Sequence, residues 1–190
     1  MGCHDSEGEY CGAGGCCSKL QIGHPAPNFK MEGYFRGEKK HYHLEDFKGK
    51  WTVLFFYPLD FTFVCPTELI ELSKKHKDFE NENAQVLGVS VDSVYSHEAW
   101  AKDIGDLNYP LLSDMTKQVS YDYNVLIPED GISLRGAFII DPDGILKAYM
   151  VNDITIGRNI DELVRLIKAF QTGDLCPVGW NAGDKTLGKA

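Results

Sequence analysis

The sequence predicts an α/β fold in which helices flank a mixed central sheet, and three patterns support this prediction. Two short runs rich in β-branched or aromatic residues, 52–57 and 84–91, are typical of strands buried on both faces. Segments with apolar residues at helical spacing follow both runs. Near the C-terminus, Asp143-Gly144 separates two apolar runs, which indicates a hairpin. This order of elements is typical of an α/β sandwich.

The elements before the central strand are short. A strand or two is indicated around residues 29–35, followed by a polar connection in which His41 and His43 alternate. This alternation is typical of an exposed edge, so solvent-exposed surface is favoured there over a metal site. A one-turn element that Gly49 ends leads into the strand at Thr52.

The helices are predicted from apolar spacing and from their end signals. Residues 66–81 are predicted to form one helix with Leu69, Leu72 and Phe79 on its buried face. The remaining elements are a helix over 96–104, a strand at 110–112, a helix capped by Asp114, and a final helix from an Asn159/Glu162 capping box to Gly173.

Length and composition indicate one domain with an appendage at each end. The 190 residues, of which 43% are hydrophobic, are enough for one full core. We expect a flexible cysteine-rich tail at 1–21 and a domain at 22–172. Residues 173–190 are glycine-rich and are expected to form a mobile C-terminal arm.

Charge and hydropathy exclude several classes of function. The formal net charge of −9 argues against nucleic acid or an anionic membrane as a partner, because both require basic surface. No apolar run approaches the ~20 residues of a membrane-spanning helix. No secretory signal and no Gly-rich phosphate loop are visible. We expect a soluble, cytoplasmic protein without nucleotide chemistry.

Four of the six cysteines crowd into the first 17 residues, namely Cys3, Cys11, Cys16 and Cys17. They could bind zinc or a similar metal, although their spacing matches no closed C-x-x-C pair. The start Met1-Gly2-Cys3 also fits a loose lipidation pattern. A disordered tail with incidental thiols is the favoured interpretation.

Cys65 lies where a buried strand gives way to a helix. The strand run breaks at Pro58, and Pro66 suits a first helical turn because it lacks an N–H and its φ is already helical. A helix N-terminus stabilises an anion, and the thiolate is the nucleophilic form of cysteine. The local sequence equally allows Cys65 to be a small buried hydrophobe.

Two motifs resemble one enzyme family. Pro58-x-x-x-Thr62-x-x-Cys65 resembles the active-site signature of the peroxiredoxins, and residues 61–68 are similar to the typical two-cysteine subgroup that includes the peroxidase component of alkyl hydroperoxide reductase. Residues 174–180, which contain Cys176, are similar to the resolving-cysteine segment of that subgroup. The resemblance covers the chain from about Ile22 onward.

The resemblance implies a thioredoxin-like fold and a thiol-dependent peroxidase that uses no metal and no organic cofactor. Cys65 would attack a peroxide oxygen and become a sulfenic acid. Arg135 would hold the thiolate and the peroxide oxygens together. Thr62 would approach the sulfur or donate to the reacting oxygen, Pro58 would shield the thiolate, and Glu68 would fix the arginine or the helix start.

The same resemblance implies how the cycle is completed. Cys176 of a neighbouring subunit would form an intermolecular disulfide with Cys65 in an antiparallel homodimer, and the subgroup builds rings of such dimers, including decamers. The implied partners are a peroxide and a thioredoxin-like or flavoprotein disulfide reductase.

The chain departs from the subgroup in two respects. Members that are easily over-oxidised carry a Gly-Gly-Leu-Gly insertion and a Tyr-Phe pair in an extended tail, whereas residues 103–108 are shorter here and the pair is absent. We therefore expect easy local unfolding around Cys65, so that disulfide formation outruns sulfinic acid formation. The cysteine-rich N-terminal segment is also foreign to the pattern.

Three rival functions are weaker. A thioredoxin-type oxidoreductase needs a C-x-x-C pair, which Cys65-Pro66-Thr67-Glu68 lacks. A cysteine hydrolase needs a histidine base, and none of the six histidines is marked by its context. A metal-binding or chaperone-like scaffold that uses the N-terminal cysteines is the rival outside enzymes.

Overall fold

The computed structural model describes residues 20–105 and 107–189 of the chain. Cys3, Cys11, Cys16 and Cys17 lie outside these residues, so the metal, lipid and disordered-tail interpretations stay predictions. Within the described ranges, no helix combines the length and the apolarity that crossing a bilayer requires.

The described residues form a sheet with helices on both faces, which confirms the predicted α/β class. The strands are β1 (Lys30–Phe35), β2 (Glu38–His43), β3 (Trp51–Phe56), β4 (Ala84–Ser90), β5 (Leu111–Ser113), β6 (Leu126–Ile127), β7 (Ile132–Ser133), β8 (Arg135–Ile140) and β9 (Leu146–Asn152). The helices are α1 (Cys65–Lys74), α2 (His76–Asn81), α3 (Val94–Ile104), α4 (Gln118–Asp122) and α5 (Ile160–Thr172), with a 3-10 turn at Leu44–Phe47.

The main sheet is mixed, as predicted. Its strand order is β2-β1-β5-β4-β3-β8-β9, and β6 pairs with β7 separately. β3 is parallel to β4 and β4 to β5, whereas β8 runs antiparallel to β3 and β9 antiparallel to β8. The predicted hairpin at Asp143-Gly144 connects β8 to β9, and Gly144 has a φ of 85°, which a residue with a side chain rarely adopts.

Strand β3 is the centre of the fold. All of its residues are buried. Val53 and Phe55 pack into one core with residues of α1, α2, α3 and α5, whereas Leu54 and Phe56 pack into a second core that includes residues of α4. Alternate side chains of a strand point to opposite faces, so burial on both faces explains the unbroken apolar run. The loop that follows β3 therefore starts from a fixed position.

The single helix predicted over residues 66–81 is wrong, because the structure divides it into α1 and α2 at Lys75. Lys75 has a φ of −82° and a ψ of 3°, and its N–H bonds to the carbonyls of both Glu71 and Ser73. The last turn of α1 tightens in this way and the helix ends. Leu72 and Phe79 remain buried on either side of the break. Apolar spacing alone does not reveal a break that keeps the same residues in the core.

Two further predictions are corrected in detail. The segment that contains His41 and His43 is strand β2 at one edge of the sheet, so the predicted polar connection is a true edge strand with an exposed face. Asn159 caps α5 as predicted by accepting a backbone N–H. Glu162 does not complete a capping box, because its carboxylate pairs with Arg165 at 2.5 Å.

Residues 173–189 of the C-terminal arm contact α5. The Leu175 N–H donates to the carbonyl of Gly188, and the Leu175 carbonyl accepts from the N–H of Leu187, both at 2.8 Å. Trp180 is buried, and its carbonyl accepts a hydrogen bond from Arg165 Nη1 at 2.9 Å. The mobility of the arm and the two domain boundaries stay predictions.

Candidate active site

The topology of the sheet brings a cation to the loop that carries Cys65. β3 and β4 are parallel, so the loops that leave their carboxyl ends lie at one edge of the sheet. β8 is antiparallel to β3, and its first residue, Arg135, therefore lies at the same edge. Ser133 Oγ, at the end of β7, donates to the carbonyl of Tyr57 at 2.9 Å and so ties the segment before β8 to the residue after β3.

The loop 57–64 carries two of the predicted site residues. Pro58 is buried, as a shielding residue would need to be. Thr62 Oγ1 donates to the carbonyl of Leu59 at 3.0 Å. Within the described residues it makes no hydrogen bond to Cys65, so the structure does not bring the Thr62 hydroxyl to the sulfur. The turn that this bond closes includes Phe61, whose φ of 54° is unusual for a bulky residue.

Cys65 is the first residue of α1, which confirms the predicted helix start, and Pro66 lies in the first turn. Cys65 is 0% exposed. The dipole and the unpaired N–H groups of a helix start favour an anion at this position. Because an isolated buried charge is costly, a thiolate here also needs a cation close to it.

Arg135 supplies that cation. Its Nη1 donates to Cys65 Sγ at 3.3 Å and to Glu68 Oε2 at 2.8 Å. Its Nε donates to the carbonyl of Ile154 at 2.8 Å, which fixes the plane of the guanidinium. Among the described residues, Nη2 has no acceptor. One edge of the guanidinium thus contacts the sulfur while a second N–H group stays available to a small ligand.

Glu68 lies one helical turn after Cys65 and bridges two arginines. Its Oε2 accepts from Arg135 and, at 3.0 Å, from Arg158 Nη2. Its Oε1 accepts from the backbone N–H of Arg158 at 2.7 Å and from Nε at 2.8 Å. Arg158 also packs over the ring of Phe55, with its Cζ 3.3 Å from the ring centroid. The predicted contact between Glu68 and Arg135 is present, and the carboxylate joins a second cation to the site.

The charges of this cluster favour an ionised sulfur. Burial raises the pKa of Glu68, but hydrogen bonds and charge from Arg158, followed by the charge of Arg135, leave that pKa below its ordinary value. Burial lowers the pKa of Arg158, yet a guanidinium remains charged at neutral pH. Two guanidinium groups and one carboxylate leave one positive charge in excess. A thiolate at Cys65 would balance this charge, so the arrangement can stabilise a nucleophilic sulfur.

Cys176 lies in a different environment. It is half-buried at the end of α5, where Sγ contacts Thr172 Oγ1 at 3.6 Å and the carbonyls of Ala169 and Asp174 at 3.8 Å. Both Cys65 and Cys176 are free thiols, and the described chain shows no contact between them. Of the predicted site residues, the structure brings together Cys65, Glu68 and Arg135, keeps Pro58 and Thr62 on the adjacent loop, and leaves Cys176 apart.

The sequence interpretation did not include Arg158. It precedes α5 in Ile156-Gly157-Arg158-Asn159 and belongs to no local motif. Its partner Glu68 is 90 positions away, so only the fold pairs them. The preceding residue, Gly157, lies against Val64 and Glu68, where a Cβ would make ordinary contacts at 3.6 to 3.8 Å. The only feature of the sequence that pointed to Arg158 was an arginine beside a glycine, just before a helix cap.

Comparisons with known proteins agree on one family. The model of the AhpC/TSA family matches residues 22–149. The chain is 52% identical over 172 residues to the mitochondrial thioredoxin-dependent peroxide reductase of Drosophila melanogaster. This match covers 85% of this chain and 74% of that protein. It is 48% identical over 175 residues to a putative peroxiredoxin in the rubredoxin operon of Clostridium pasteurianum, covering 87% of this chain and 98% of that protein.

Solved structures give the same result. The crystal structure of reduced 2-Cys peroxiredoxin from Plasmodium vivax superposes with a TM-score of 0.84 at 45% identity, and the match covers 87% of this chain and 91% of that one. The crystal structure of AhpC from Enterococcus faecalis superposes with a TM-score of 0.78 at 40% identity, covering 82% of this chain and 98% of that one.

Proposed function

Because the chain belongs to the AhpC/TSA family of peroxiredoxins, we propose that it reduces hydrogen peroxide and organic hydroperoxides through the Cys65 thiolate. Its fold is thioredoxin-like, as the resemblance implied. The observation that carries the proposal is the buried cluster of Cys65, Arg135, Glu68 and Arg158, which is electrically balanced only when the sulfur is ionised. This enzyme is a thiol-dependent peroxide reductase.

In the first step the thiolate attacks the terminal peroxide oxygen. An S–O bond forms, the O–O bond breaks, and the sulfur gives up two electrons and becomes a sulfenic acid. The alkoxide or hydroxide that leaves takes up a proton and departs as alcohol or water. Arg135 Nη1 stabilises the attacking sulfur, and Nη2 is placed to donate to the peroxide oxygens.

Three other residues support this step. Thr62 keeps lone pairs on Oγ1 while it donates to Leu59, so it can accept the peroxide hydrogen or turn to donate to the reacting oxygen. Pro58 excludes water from one side of the sulfur. Glu68 fixes the guanidinium of Arg135 by a charge-assisted hydrogen bond of 2.8 Å.

A second thiol then resolves the sulfenic acid. The Cys176 sulfur attacks the Cys65 sulfur, water leaves, and a disulfide forms. In one chain the two cysteines lie in separate environments, which supports Cys176 of a partner subunit as the resolving thiol. Because Cys65 is fully buried, the first turn of α1 must open before a protein thiol can reach it.

Two exposed apolar surfaces support a dimer and a ring of dimers. The outer edge of β9 pairs with no strand of the described chain, and Tyr149, Val151 and Ile156 are exposed near it. A second copy that adds its own β9 there would form an antiparallel dimer. Phe63, which is 95% exposed, lies with exposed Phe61 on the catalytic loop and offers a second contact between dimers.

A separate protein must reduce the disulfide. Related enzymes are named thioredoxin-dependent, so a thioredoxin-like dithiol protein is the reductant that the comparisons favour. A flavoprotein disulfide reductase is the second candidate, and a coupled assay with each purified reductase separates them.

The test compares wild type, Cys65→Ser and Cys176→Ser in a peroxide-dependent assay of dithiol consumption and on a non-reducing gel. We expect activity and a covalent dimer only in wild type, with a single peroxide turnover left in Cys176→Ser. A matched sample that begins at Ile22, analysed for metal, addresses the scaffold alternative. Activity that survives Cys65→Ser while metal is lost with residues 1–21 contradicts the peroxidase proposal and supports the scaffold.

A further inference from the structure

A buried polar network lies beneath the catalytic loop and is separate from the arginine cluster. Asp60, midway between Pro58 and Thr62, is 6% exposed, and His97 on α3 is 0% exposed. Asp60 Oδ2 lies 2.9 Å from His97 Nδ1. The peroxidase cycle proposed above assigns no role to this pair, although buried charged groups are rarely retained without a partner or a function.

Two hydroxyl groups donate to the Asp60 carboxylate, and a ring nitrogen of His97 faces it. Tyr57 Oη donates to Oδ1 at 2.8 Å, and Ser96 Oγ donates to Oδ2 at 2.8 Å. Burial, followed by the charge of Asp60, raises the pKa of Tyr57 well above its ordinary value, so the phenol keeps its proton and stays a donor. Two hydroxyl donors, with the His97 ring nitrogen as a third partner, suit an ionised carboxylate.

Both ring nitrogens of His97 face acceptors. Nδ1 faces Asp60, and Nε2 lies 3.2 Å from the carbonyl of Leu112 on β5. A neutral imidazole has one N–H and leaves one of these two contacts without a proton, whereas an imidazolium donates to both. This geometry suits an ion pair between α3 and the loop.

The backbone of the loop is held at the same point. The Asp60 N–H donates to Asp92 Oδ2 at 2.9 Å, so both the main chain and the side chain of this residue are anchored. The next residue, Phe61, has a left-handed φ of 54°. That conformation is unfavourable for a residue with a side chain. Since Phe61 is largely exposed, its own burial offsets little of this cost.

We propose that Asp60 and His97 are positioning residues for the peroxide reaction, and that their buried ion pair fixes the strained turn that carries Pro58 and Thr62 over Cys65. The inference rests on the proposed peroxidase cycle. It assigns α3 a role in the reaction although none of the described hydrogen bonds joins α3 to the sulfur.

The kinetic test uses two reactions of the same sulfur. Peroxide reduction requires the loop to be in place, whereas alkylation of Cys65 by iodoacetamide requires only an accessible thiolate. We expect Asp60→Asn and His97→Gln each to lower the second-order rate constant with hydrogen peroxide about 10- to 100-fold while alkylation changes far less. Loss of both reactions in parallel indicates general disruption of the fold and overturns the proposal, as does an unchanged peroxide rate.

The double variant tests the ion pair itself. A lone buried charge is worse than a neutral pair, so Asp60→Asn/His97→Gln should react faster with peroxide than either single variant. If the double variant instead shows the product of the two separate rate losses, the second substitution recovers nothing, and this result contradicts an ion pair. Glu98→Gln is the matched control, because Glu98 is the next residue on α3 and its carboxylate bonds Lys39 and Lys102 instead of the loop. Ser96→Ala removes one donor to Asp60 without a change of charge and should lower the rate by a smaller factor.

One measurement needs no variant and no activity. The ¹⁵N spectrum of the histidine side chains in reduced wild-type protein at neutral pH should show both nitrogens of His97 protonated, with His97→Gln used for assignment. A single protonated nitrogen contradicts the ion pair. If wild type does not react with peroxide, the proposed function fails, whereas a reactive wild type with unaffected variants overturns only the positioning role.

Discussion

The two cysteines of the proposed cycle, Cys65 and Cys176, lie in regions of opposite character. Cys65 is enclosed by charge: α1, β8 and the segment before α5 each contribute an ionised side chain, and these form ion pairs at 2.8 Å. The hydrogen-bond partners of the Cys176 sulfur are a hydroxyl and two carbonyl oxygens, at 3.6 to 3.8 Å, in an arm held by backbone bonds and by Arg165. The fold surrounds the first sulfur with charged groups and places the second outside that cluster, and we expect the second sulfur to move toward a partner.

The largest expected effect comes from exchanging each sulfur for oxygen. Cys65→Ser should lower peroxide reduction by more than about 1,000-fold, because within residues 20–105 and 107–189 no other thiol lies beside Arg135. Cys176→Ser should keep the rate of the first turnover and lose only turnover with the disulfide reductase. Stopped-flow measurement of the first turnover distinguishes the two variants. If both variants slow the first turnover equally, the two cysteines do not have separate roles, which contradicts the proposed cycle.

Removing the guanidinium of Arg135 beside Cys65 should have the next largest effect. Arg135→Gln should lower the rate constant with peroxide about 100- to 1,000-fold, since it removes a preorganised donor to both the sulfur and the peroxide. Arg165→Gln is the matched control, because it removes a guanidinium from the Cys176 region. A first turnover that Arg165→Gln slows as much as Arg135→Gln does would rule out a specific role for the cation beside Cys65.

Glu68→Gln should lower the free energy of unfolding by about 3 kcal/mol, because two buried guanidinium groups then lack their carboxylate. The pKa of Glu68 is lower in the folded protein than its ordinary value of 4.5. Its stabilising effect is therefore complete above pH 4.5 and is lost as the pH falls through the folded value. Denaturant titrations at several pH values should show wild type and variant differing most near neutrality and converging in acid. A constant difference across this range would falsify the assignment.

Sequence patterns predicted the parts of this molecule that depend on neighbours in the chain. Pro66 and the apolar run before Pro58 predicted the strand-to-helix junction at Cys65, and Asp143-Gly144 predicted the hairpin. Family motifs added Arg135. The contacts of Arg158 and His97 could not be predicted, because their partners Glu68 and Asp60 are 90 and 37 positions away. The break at Lys75 was hidden because it leaves the buried face unchanged.

A smaller effect on stability is expected from a substitution in the region around Cys176. Arg165 holds the arm through the carbonyl of Trp180, and its ion pair with Glu162 is partly exposed. Arg165→Gln should therefore lower the free energy of unfolding by only about 0.5–1 kcal/mol. If release of the arm precedes resolution, disulfide formation should be a few-fold faster in this variant. Rapid-quench measurement of the disulfide checks this, and a slower rate contradicts the arm as a restraint.

The smallest expected signal is over-oxidation. Residues 103–108 lack the insertion found in easily over-oxidised enzymes, so opening of α1 should let Cys176 capture the sulfenic acid first. With stoichiometric peroxide and a reductant, mass spectrometry should find sulfinic acid on Cys65 as a minor product. A product that is mostly sulfinic acid would mean that the region around Cys65 opens too slowly for Cys176 to compete.

The relation between the two regions is tested most directly by isotope labelling. Reduced ¹⁵N-labelled and unlabelled protein are mixed, allowed to exchange subunits, oxidised with peroxide and digested without reduction. We expect Cys65–Cys176 disulfide peptides in which one half is labelled and the other is not. The contrary result is that, in a sample shown to have exchanged subunits, the two halves of every disulfide peptide are either both labelled or both unlabelled. Both cysteines would then come from one chain, which contradicts resolution between subunits.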